Sequence, residues 1–328
     1  MNLPGLDIVA IGDAIVDVIA TCDDAFLERR GFEKGSMRLL SNDEALELYG
    51  AIGAAREISG GSAANSMAGA AALGLRTAFI GQIANDQLGA IFAHDMRSLG
   101  VQFETRAIEG PPQTGLCLIL VTPDAQRTMS TFPGASYELT SSALDRELIR
   151  SAAVTFLEGY LWGPEKPRLA MLEAARIARD AERTIAFTLS ESLSIGDRRE
   201  GVLGMIEGGL VDILFGNEHE MHHLTGGDTL LQCIEALSSK VRTLIITRGA
   251  NGAIGVDCGE RSEVPAVPVQ KVVDTTGAGD LFASGFLAAH SCGRPLKACL
   301  EAGTVAAAEI ISHYGARPEA DLRQLVTL

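Results

Sequence analysis

The segment Asp274–Asp280 combines residue types that can hold an anion and move a proton. Its sequence is DTTGAGD, it follows two valines, and it leads into an apolar segment with helical spacing. The first N–H groups of a helix lack helical partners and carry partial positive charge. The amides of Gly277, Ala278 and Gly279 are therefore predicted to bind an anion such as a phosphate. Asp280 would lie at the rim of this site, beside the attacking group. Alternatively, these residues only cap a helix.

Two further carboxylates follow the first predicted strand. Residues 8–11 have the continuous apolar pattern of a buried strand, Gly12 interrupts it, and Asp13 and Asp17 follow. Carboxylates at the end of a strand can project from the edge of a sheet into a cleft. The alternative is a turn aspartate and an edge aspartate without a binding role, and the spacing alone leaves both interpretations open.

Small and polar residues at other predicted element ends extend this set. Residues 59–66 are almost entirely Gly, Ser and Ala, which allows a helix start to approach a ligand closely. Glu158 directly follows a predicted strand. Asn217 follows another, three residues before Glu220, a spacing that a helix-capping interaction also explains.

The apolar pattern predicts the fold that must position these groups. From about residue 141, helix and strand patterns alternate with short connections, as in βαβ crossovers of a parallel sheet covered on both faces. Ligand sites in such sheets lie beyond the carboxyl ends of the strands. The predicted helices here are 141–151, 165–182 and 197–208, and the predicted strands are 153–157, 184–188 and 211–215. Earlier in the chain we predict a strand at 101–108 and a β-hairpin from 114–122 and 126–132.

Composition argues against several functional classes. The 328 residues include 27 Lys and Arg and 42 Asp and Glu, a net charge of −15, which disfavours a nucleic acid or an anionic membrane as partner. The six cysteines are scattered without zinc-like spacing. Neither a signal-peptide pattern nor a membrane-spanning apolar stretch is found. We therefore expect a globular, cytoplasmic protein that acts on a small molecule.

Asp274–Asp280 resembles the C-terminal motif of the ribokinase-like (PfkB) family of carbohydrate and nucleoside kinases. Other segments resemble family motifs in the family's order across about residues 7–318, and they are Gly12–Asp17, Gly60–Asn65, Gly81–Gly89, Asn217–Glu220, Thr247–Gly252 and Gly315–Pro318. In this family the Gly-Ala-Gly turn holds the transferring phosphoryl group, and the final aspartate takes the proton of the substrate hydroxyl. The resemblance thus implies that Asp280 is the catalytic base.

The resemblance also implies the fold and the other binding roles. It implies a single domain, residues 1–328, with a mostly parallel central sheet, helices on both faces and a small β-sheet lid from about residues 13–22, 35–41 and 101–133. The acceptor would be bound by Asp13, Asp17, Gly60, Gly61, Asn65 and Glu158. ATP would be bound within about residues 211–318 by Asn217, Thr247, Gly249, Gly252 and Thr276. Mg²⁺ would be held through water by Asn217 and Glu220, and a monovalent cation such as K⁺ by Asp274, Thr276 and Gly315.

The acceptor is the least determined part of this interpretation. Ser62 after the glycine pair and the segment Gln113–Cys117 resemble adenosine-kinase-like members, whereas Glu158 resembles sugar-kinase members. We expect phosphorylation of a primary hydroxyl of a ribonucleoside, adenosine first, with a free sugar such as ribose or fructose as the alternative. A non-catalytic nucleotide sensor is a second alternative, against which the intact Asp280 argues. An exposed edge of the lid sheet would allow two copies to form a homodimer.

Other nucleotide-binding families fit poorly. No G-x-G-x-x-G follows the first strand, as a dehydrogenase requires, and no Gly-Lys dipeptide of a P-loop occurs. The H-R-D and D-F-G motifs of protein kinases are also missing.

Overall fold

The computed structural model describes residues 5–124, 126–190 and 198–328. In these ranges the strands are β1 (Leu6–Ile11), β2 (Ile15–Thr21), β3 (Met37–Leu39), β4 (Ala55–Gly60), β5 (Thr77–Ile80), β6 (Val101–Phe103), β7 (Thr114–Val121), β8 (Arg127–Gly134), β9 (Ala152–Glu158), β10 (Thr184–Thr188), β11 (Ile213–Asn217), β12 (Thr243–Thr247), β13 (Ala253–Asp257) and β14 (Glu260–Val264). The α-helices are α1 (Asp24–Arg29), α2 (Asn42–Ala51), α3 (Ser62–Ala72), α4 (Gln87–Ser98), α5 (Arg146–Ser151), α6 (Glu165–Asp180), α7 (Arg198–Glu207), α8 (Glu218–Thr225), α9 (Leu230–Leu237), α10 (Ala278–Ser291), α11 (Leu296–Ile310) and α12 (Leu322–Leu325).

The larger sheet has nine strands within the described residues, in the order β14-β13-β12-β11-β10-β9-β1-β5-β6. Strands β6 to β12 of this order pair in parallel, and β13 and β14 are antiparallel additions at one edge. Parallel pairing requires crossover connections, which the intervening helices provide. The predicted α/β class with a mostly parallel sheet is confirmed.

Strand β1 shows why its sequence is apolar without interruption. Ile8 and Ala10 pack into the hydrophobic layer on one face of the sheet, whereas Val9 and Ile11 pack into the layer on the other face, and all four are fully buried. A parallel strand covered by helices on both faces has no solvent-facing positions. The carboxyl end of β1 is thereby fixed in the middle of the sheet, immediately before Gly12 and Asp13.

The smaller sheet has the order β3-β8-β7-β2-β4. Its centre is the predicted hairpin, since β7 and β8 pair antiparallel, and β2 pairs parallel to β7. Along β2, Val16 and Val18 face the hydrophobic core, whereas Ile15 and Asp17 face a cleft on the opposite side. The predicted small second sheet is confirmed. Homodimer formation through an edge of this sheet stays a prediction.

Two strands are placed differently from the prediction. The strand predicted at 101–108 comprises only Val101–Phe103 and pairs with β5 in the larger sheet, not with the lid. Its position follows from Phe103, whose ring lies 5.3 Å from the ring of Phe92 on α4. Conversely, the sequence pattern predicts a helix from Asn42 to Arg56, but α2 ends at Ala51, and the following strand β4 pairs with β2.

Two smaller observations complete the fold. The helix predicted at 141–151 is limited to α5, because the side chain of Asp145 accepts a hydrogen bond from Leu148 N at 2.9 Å and caps the helix there. Among the described residues, none of the helices is both long enough and apolar enough to cross a bilayer.

Candidate active site

The anion-binding turn predicted from the sequence is formed at the start of α10. Gly277 has a φ of +78°, and a Cβ atom added to it would lie 2.8 Å from the Cβ of Ala316, so glycine is required here. The helix hydrogen bonds begin with Leu281 N to Gly277 O at 2.8 Å. The N–H of Ala278 donates to Thr275 O at 3.2 Å. The N–H groups of Gly279 and Asp280 lie before the first helical hydrogen bond, at the positive end of the helix dipole.

The carboxylate of Asp280 is held by two donors from α3. Ser62 Oγ donates to Oδ1 at 2.6 Å, and Asn65 Nδ2 donates to Oδ2 at 2.9 Å. Burial raises the pKa of Asp280, and these two hydrogen bonds, together with the positive charge of Arg317, oppose the rise. The two helices are joined next to this site by Ser284 Oγ, which donates to Ser66 O at 2.8 Å.

Asp17 lies on the cleft-facing side of β2. It is buried, and desolvation raises its pKa to about 6, although the charges of Arg317 and Arg127 favour its ionised form. Gly60 packs directly against it, because a Cβ added to Gly60 would lie 2.5 Å from Asp17 Cγ. The role of Gly60 in this structure is therefore to admit the carboxylate of Asp17.

Asp13 and Glu158 lie next to each other, just after β1 and at the end of β9. The carboxylate of Glu158 accepts hydrogen bonds from Asp13 N at 2.5 Å and from Ala63 N at 2.6 Å. Glu158 is fully buried, and desolvation together with the nearby Asp13 raises its pKa. Burial also raises the pKa of Asp13, to about 7. A Cβ on Gly61 would lie 2.2 Å from Asp13 O, so this glycine allows the close approach of α3.

A cavity of about 460 Å³ lies between the smaller sheet and the carboxyl ends of the central strands. Its polar lining includes Asp13, Asp17, Gly61, Asn65 and Asp280, which the sequence places more than 260 residues apart at the extremes. Of the predicted acceptor residues, Gly60 and Glu158 do not line it. Glu158 is predicted to contact acceptor hydroxyls, but both its oxygens accept hydrogen bonds from backbone N–H groups and the residue does not line the cavity.

A second cavity, of about 540 Å³, lies on the other side of the anion-binding turn. Its lining includes the predicted ATP residues Thr247, Gly249 and Gly252 and is otherwise largely apolar. Both cavities share Ala278 and Gly279. The turn therefore lies between two cavities, an arrangement that would allow a phosphoryl group to pass between two bound molecules.

Asn217 and Glu220 form a capping box at the start of α8. Asn217 Oδ1 accepts from Glu220 N at 2.9 Å, and Glu220 Oε2 accepts from Asn217 N at 2.8 Å. Both residues also line the first cavity. Within the described ranges no cluster of three or more His, Cys, Asp or Glu residues could enclose a metal. An amide and a carboxylate on a cavity wall fit a magnesium ion that keeps most of its waters.

The carboxylate of Asp274 contacts four protein donors. Its surroundings therefore do not fit the predicted monovalent cation. Oδ1 accepts from Thr276 N at 3.0 Å and Thr276 Oγ1 at 2.8 Å, and Oδ2 accepts from Gly315 N at 2.8 Å. Arg127 Nη1 lies 2.6 Å from Oδ2 in an ion pair whose side chains are only 11% and 4% exposed. A guanidinium from the smaller sheet therefore supplies the positive charge that a cation would bring.

Arg127 and Arg317 are the site residues that the sequence analysis missed. Arg317 Nη2 donates to Ser59 O at 2.6 Å and Ser59 Oγ at 3.0 Å, and Nη1 donates to Asn65 Oδ1. Arginines are mostly exposed in folded proteins, so neither was expected to be buried. A signal was available for Arg127, which shares the strand period with Met129 on the cleft-facing side of the hairpin.

Comparisons with known proteins identify the family of this chain. A model described as pfkB family carbohydrate kinase matches residues 6–322. The chain belongs to the PfkB kinase family. The structure of adenosine kinase from Sinorhizobium meliloti is similar to it with a TM-score of 0.90 and 42% identity, covering 97% of this chain and 98% of that one. A probable sugar kinase from Rhizobium etli CFN 42 gives a TM-score of 0.91 and 39% identity over 98% of both chains.

A relative from plants extends the comparison. Probable fructokinase-7 of Arabidopsis thaliana is 31% identical over 239 residues, which cover 70% of this chain and 68% of that protein. This PfkB protein is therefore a sugar or nucleoside kinase, and ATP as phosphoryl donor is implied by its family. Membership in a kinase family disfavours the alternative of a catalytically silent sensor.

Proposed function

We propose that this PfkB kinase transfers the γ-phosphoryl group of ATP to a primary hydroxyl of a ribonucleoside, with adenosine as the first candidate. The observation that carries this proposal is the mixed lining of the first cavity, which combines a polar part, called the floor (Asp13, Asp17, Gly61, Asn65 and Asp280), with an apolar part, called the wall. The wall is formed by Ile15, Met37, Ile119, Met129 and Tyr160. Met37 is 51% exposed, so apolar surface is open to a ligand. A nucleoside has matching parts, a hydroxyl-rich ribose and a flat aromatic base whose faces pack on apolar side chains.

In the proposed reaction, Asp280 accepts the proton of the attacking hydroxyl while Ser62 and Asn65 hold its two oxygens. Phosphoryl transfer has a loose transition state, so a carboxylate is a sufficient base and positioning supplies most of the rate. The N–H groups at the start of α10, including that of Gly279, stabilise the charge on the transferred group. Asn217 and Glu220 would hold Mg²⁺ through water, and the ion would neutralise phosphate charge.

The predicted lid has a mechanical role in this proposal. The smaller sheet covers the cleft with the side of β2, β7 and β8 that carries Asp17, Cys117 and Thr131. A covered site excludes water, which would otherwise accept the phosphoryl group.

A free sugar is the second candidate acceptor. Besides Asp280, the floor carries two carboxylates, Asp13 and Asp17, which suits an acceptor that presents many hydroxyl groups. The similarity to a probable sugar kinase at 39% identity and to a probable fructokinase at 31% supports the same candidate.

The experiment that separates the two candidates is an ATP-consumption assay over a matched panel. Adenosine, guanosine, cytidine, uridine, ribose and fructose are compared at equal concentrations, with product phosphorylation verified by mass spectrometry. We expect the highest kcat/KM for adenosine. A higher kcat/KM for ribose or fructose than for every nucleoside would refute the nucleoside proposal.

A further inference from the structure

Arg317 lies behind the polar floor of the cleft, in the loop between α11 and α12. Its guanidinium donates to Ser59 at the end of β4 and to Asn65 Oδ1 on α3. The contact with Asn65 reaches across the interface between the C-terminal loop and the helix that carries the acceptor floor. Burial lowers the pKa of Arg317, but an arginine remains charged at any physiological pH. This places a permanent positive charge beside the cleft.

The contact with Asn65 determines the orientation of an amide. A side-chain amide has one oxygen, which accepts hydrogen bonds, and one nitrogen, which donates them. Asn65 Oδ1 accepts from Arg317, and Asn65 Nδ2 donates to Asp280 Oδ2 at 2.9 Å. If the amide flipped, its nitrogen would face the guanidinium and its oxygen would face the carboxylate, and both contacts would become repulsive. The donor-only guanidinium thus allows one orientation of Asn65.

We propose that Arg317 is a positioning residue for the phosphoryl transfer, which acts by fixing the Asn65 amide so that it donates to Asp280. The proposal rests on the catalytic role of Asp280 in the proposed function. Arg317 contacts neither reacting group itself. Its hydrogen bonds reach the carboxylate through Asn65, and its positive charge also favours the ionised form of Asp280.

The surroundings of Asp280 indicate whether the loss of Arg317 raises or lowers its pKa. Burial raises the pKa of Asp280, whereas the hydrogen bonds from Ser62 and Asn65 and the charge of Arg317 from the C-terminal loop lower it. Asp280 in turn raises the pKa of Asp17 on β2 and of Glu158 on β9. When the guanidinium and the fixed amide are lost together, the effect of burial remains. The pKa of Asp280 should then rise, and less of the base is ionised at a given pH.

The direct test measures the ionisation of Asp280 in the full-length protein. The carboxyl resonances of ¹³C-labelled aspartate are titrated in the wild type, in Arg317→Gln and in Asn65→Ala, with Asp280→Asn used to assign the signal. We expect both variants to raise the pKa of Asp280 by about one unit, which is a tenfold change in the ratio of ionised to protonated carboxyl groups. Ser59→Ala is the matched control, because it removes a contact of Arg317 without touching Asn65, and it should leave the titration unchanged.

Kinetics provide the second readout. The acid limb of the pH profile of kcat/KM should move to higher pH in Arg317→Gln. The double variant of Arg317→Gln and Asn65→Ala should have a kcat/KM no lower than that of the less active single variant. An unchanged Asp280 titration in Arg317→Gln, or losses that multiply in the double variant, would overturn the proposal. If Arg317→Gln does not fold, Arg317→Lys replaces it, and the titration of Asn65→Ala decides the role of the amide.

This design keeps the two proposals apart. Absence of turnover with every nucleoside and sugar would refute the proposed function, yet the NMR titration needs no turnover. Any accepted acceptor serves for the kinetic profile, so a wrong choice of adenosine does not affect the test of Arg317.

Discussion

Asn65 Nδ2 and Asp280 Oδ2 are joined by a hydrogen bond of 2.9 Å, although 215 residues separate them in the sequence. The contact joins the start of α3, which belongs to the acceptor floor, to the start of α10, which carries the anion-binding turn. Helices α3 and α10 pack together along their small residues, since a Cβ added to Gly69 would lie 2.5 Å from Ser284 Oγ. In the proposed reaction, the acceptor and the phosphoryl group would meet at this carboxylate.

Substitution of Asp17 should affect the acceptor more than ATP. Asp17 lines the cavity beside Asn65 but not the second cavity, whose lining includes the predicted ATP residues Gly249 and Gly252. We expect Asp17→Ala to raise the KM for the acceptor at least tenfold, on the order of the 1–3 kcal/mol that a lost hydrogen bond to a charged group costs, and to leave the KM for ATP nearly unchanged. Steady-state kinetics with each substrate varied in turn measures both constants. Equal increases would contradict the assignment.

The raised pKa of Asp17 predicts a pH-dependent cost to stability. Because its pKa rises from 3.8 unfolded to about 6 folded, the folded state binds the proton more tightly, and stability is lost as pH increases from about 4 through about 6. The two-unit difference corresponds to about 3 kcal/mol above that window. Asp17→Asn should therefore have a higher free energy of unfolding than the wild type at pH 8, and this difference should be smaller at pH 4. Urea denaturation at both pH values measures this, and an equal gain at the two would contradict it.

Much of the fold could be predicted because helix and strand patterns are local features of the sequence. The alternation of helix and strand patterns predicted the parallel sheet, and the predicted hairpin is formed by β7 and β8. The positions of β4 and β6 were missed because short strands are placed by distant partners. For β6 the decisive partners are aromatic rings of α4 and β5, which no local pattern reveals.

The sequence predicted those site residues that lie in motifs with a recognisable chemical role. Asp280, Asp17 and Asn65 lie in one cleft as expected, whereas Glu158 is turned to backbone donors behind the wall. Arg317 was not predicted as a site residue because its role depends on Asn65, which lies 252 residues away. The spacing of residues in the sequence does not reveal such a contact.

The ion pair of Arg127 and Asp274 predicts that the enzyme needs no monovalent cation. We expect less than a twofold change in kcat, and no shift of the melting temperature, when K⁺ is replaced by tetramethylammonium at constant ionic strength. Arg127→Leu should lower the free energy of unfolding by about 3–5 kcal/mol, because a buried carboxylate is left without its partner. Adding Asp274→Asn to this variant should recover part of the loss. Strong activation of the wild type by K⁺ would refute the prediction.

The apolar wall predicts different responses of nucleosides and free sugars. Met129→Ala removes apolar surface from the wall, so we expect kcat/KM for adenosine to fall about tenfold, as expected for a truncated apolar contact worth about 1–3 kcal/mol. Activity toward ribose, if measurable, should change less than twofold. Leu231→Ala is the matched control, since Leu231 is exposed on α9 and does not line the cavity. Equal losses for adenosine and ribose would argue against a base-binding wall.

The central claim is that Asp280 is the base at the meeting point of the two cavities, and the kinetics of Asp280→Asn test it most directly. Asparagine keeps the size of the side chain and can still bond with Ser62, so folding and ATP binding should be retained. With the best acceptor of the panel, we predict a fall in kcat on the order of 10²–10⁴, with the KM for ATP and the melting temperature little changed. A kcat within a few-fold of the wild type in the folded variant would contradict the account.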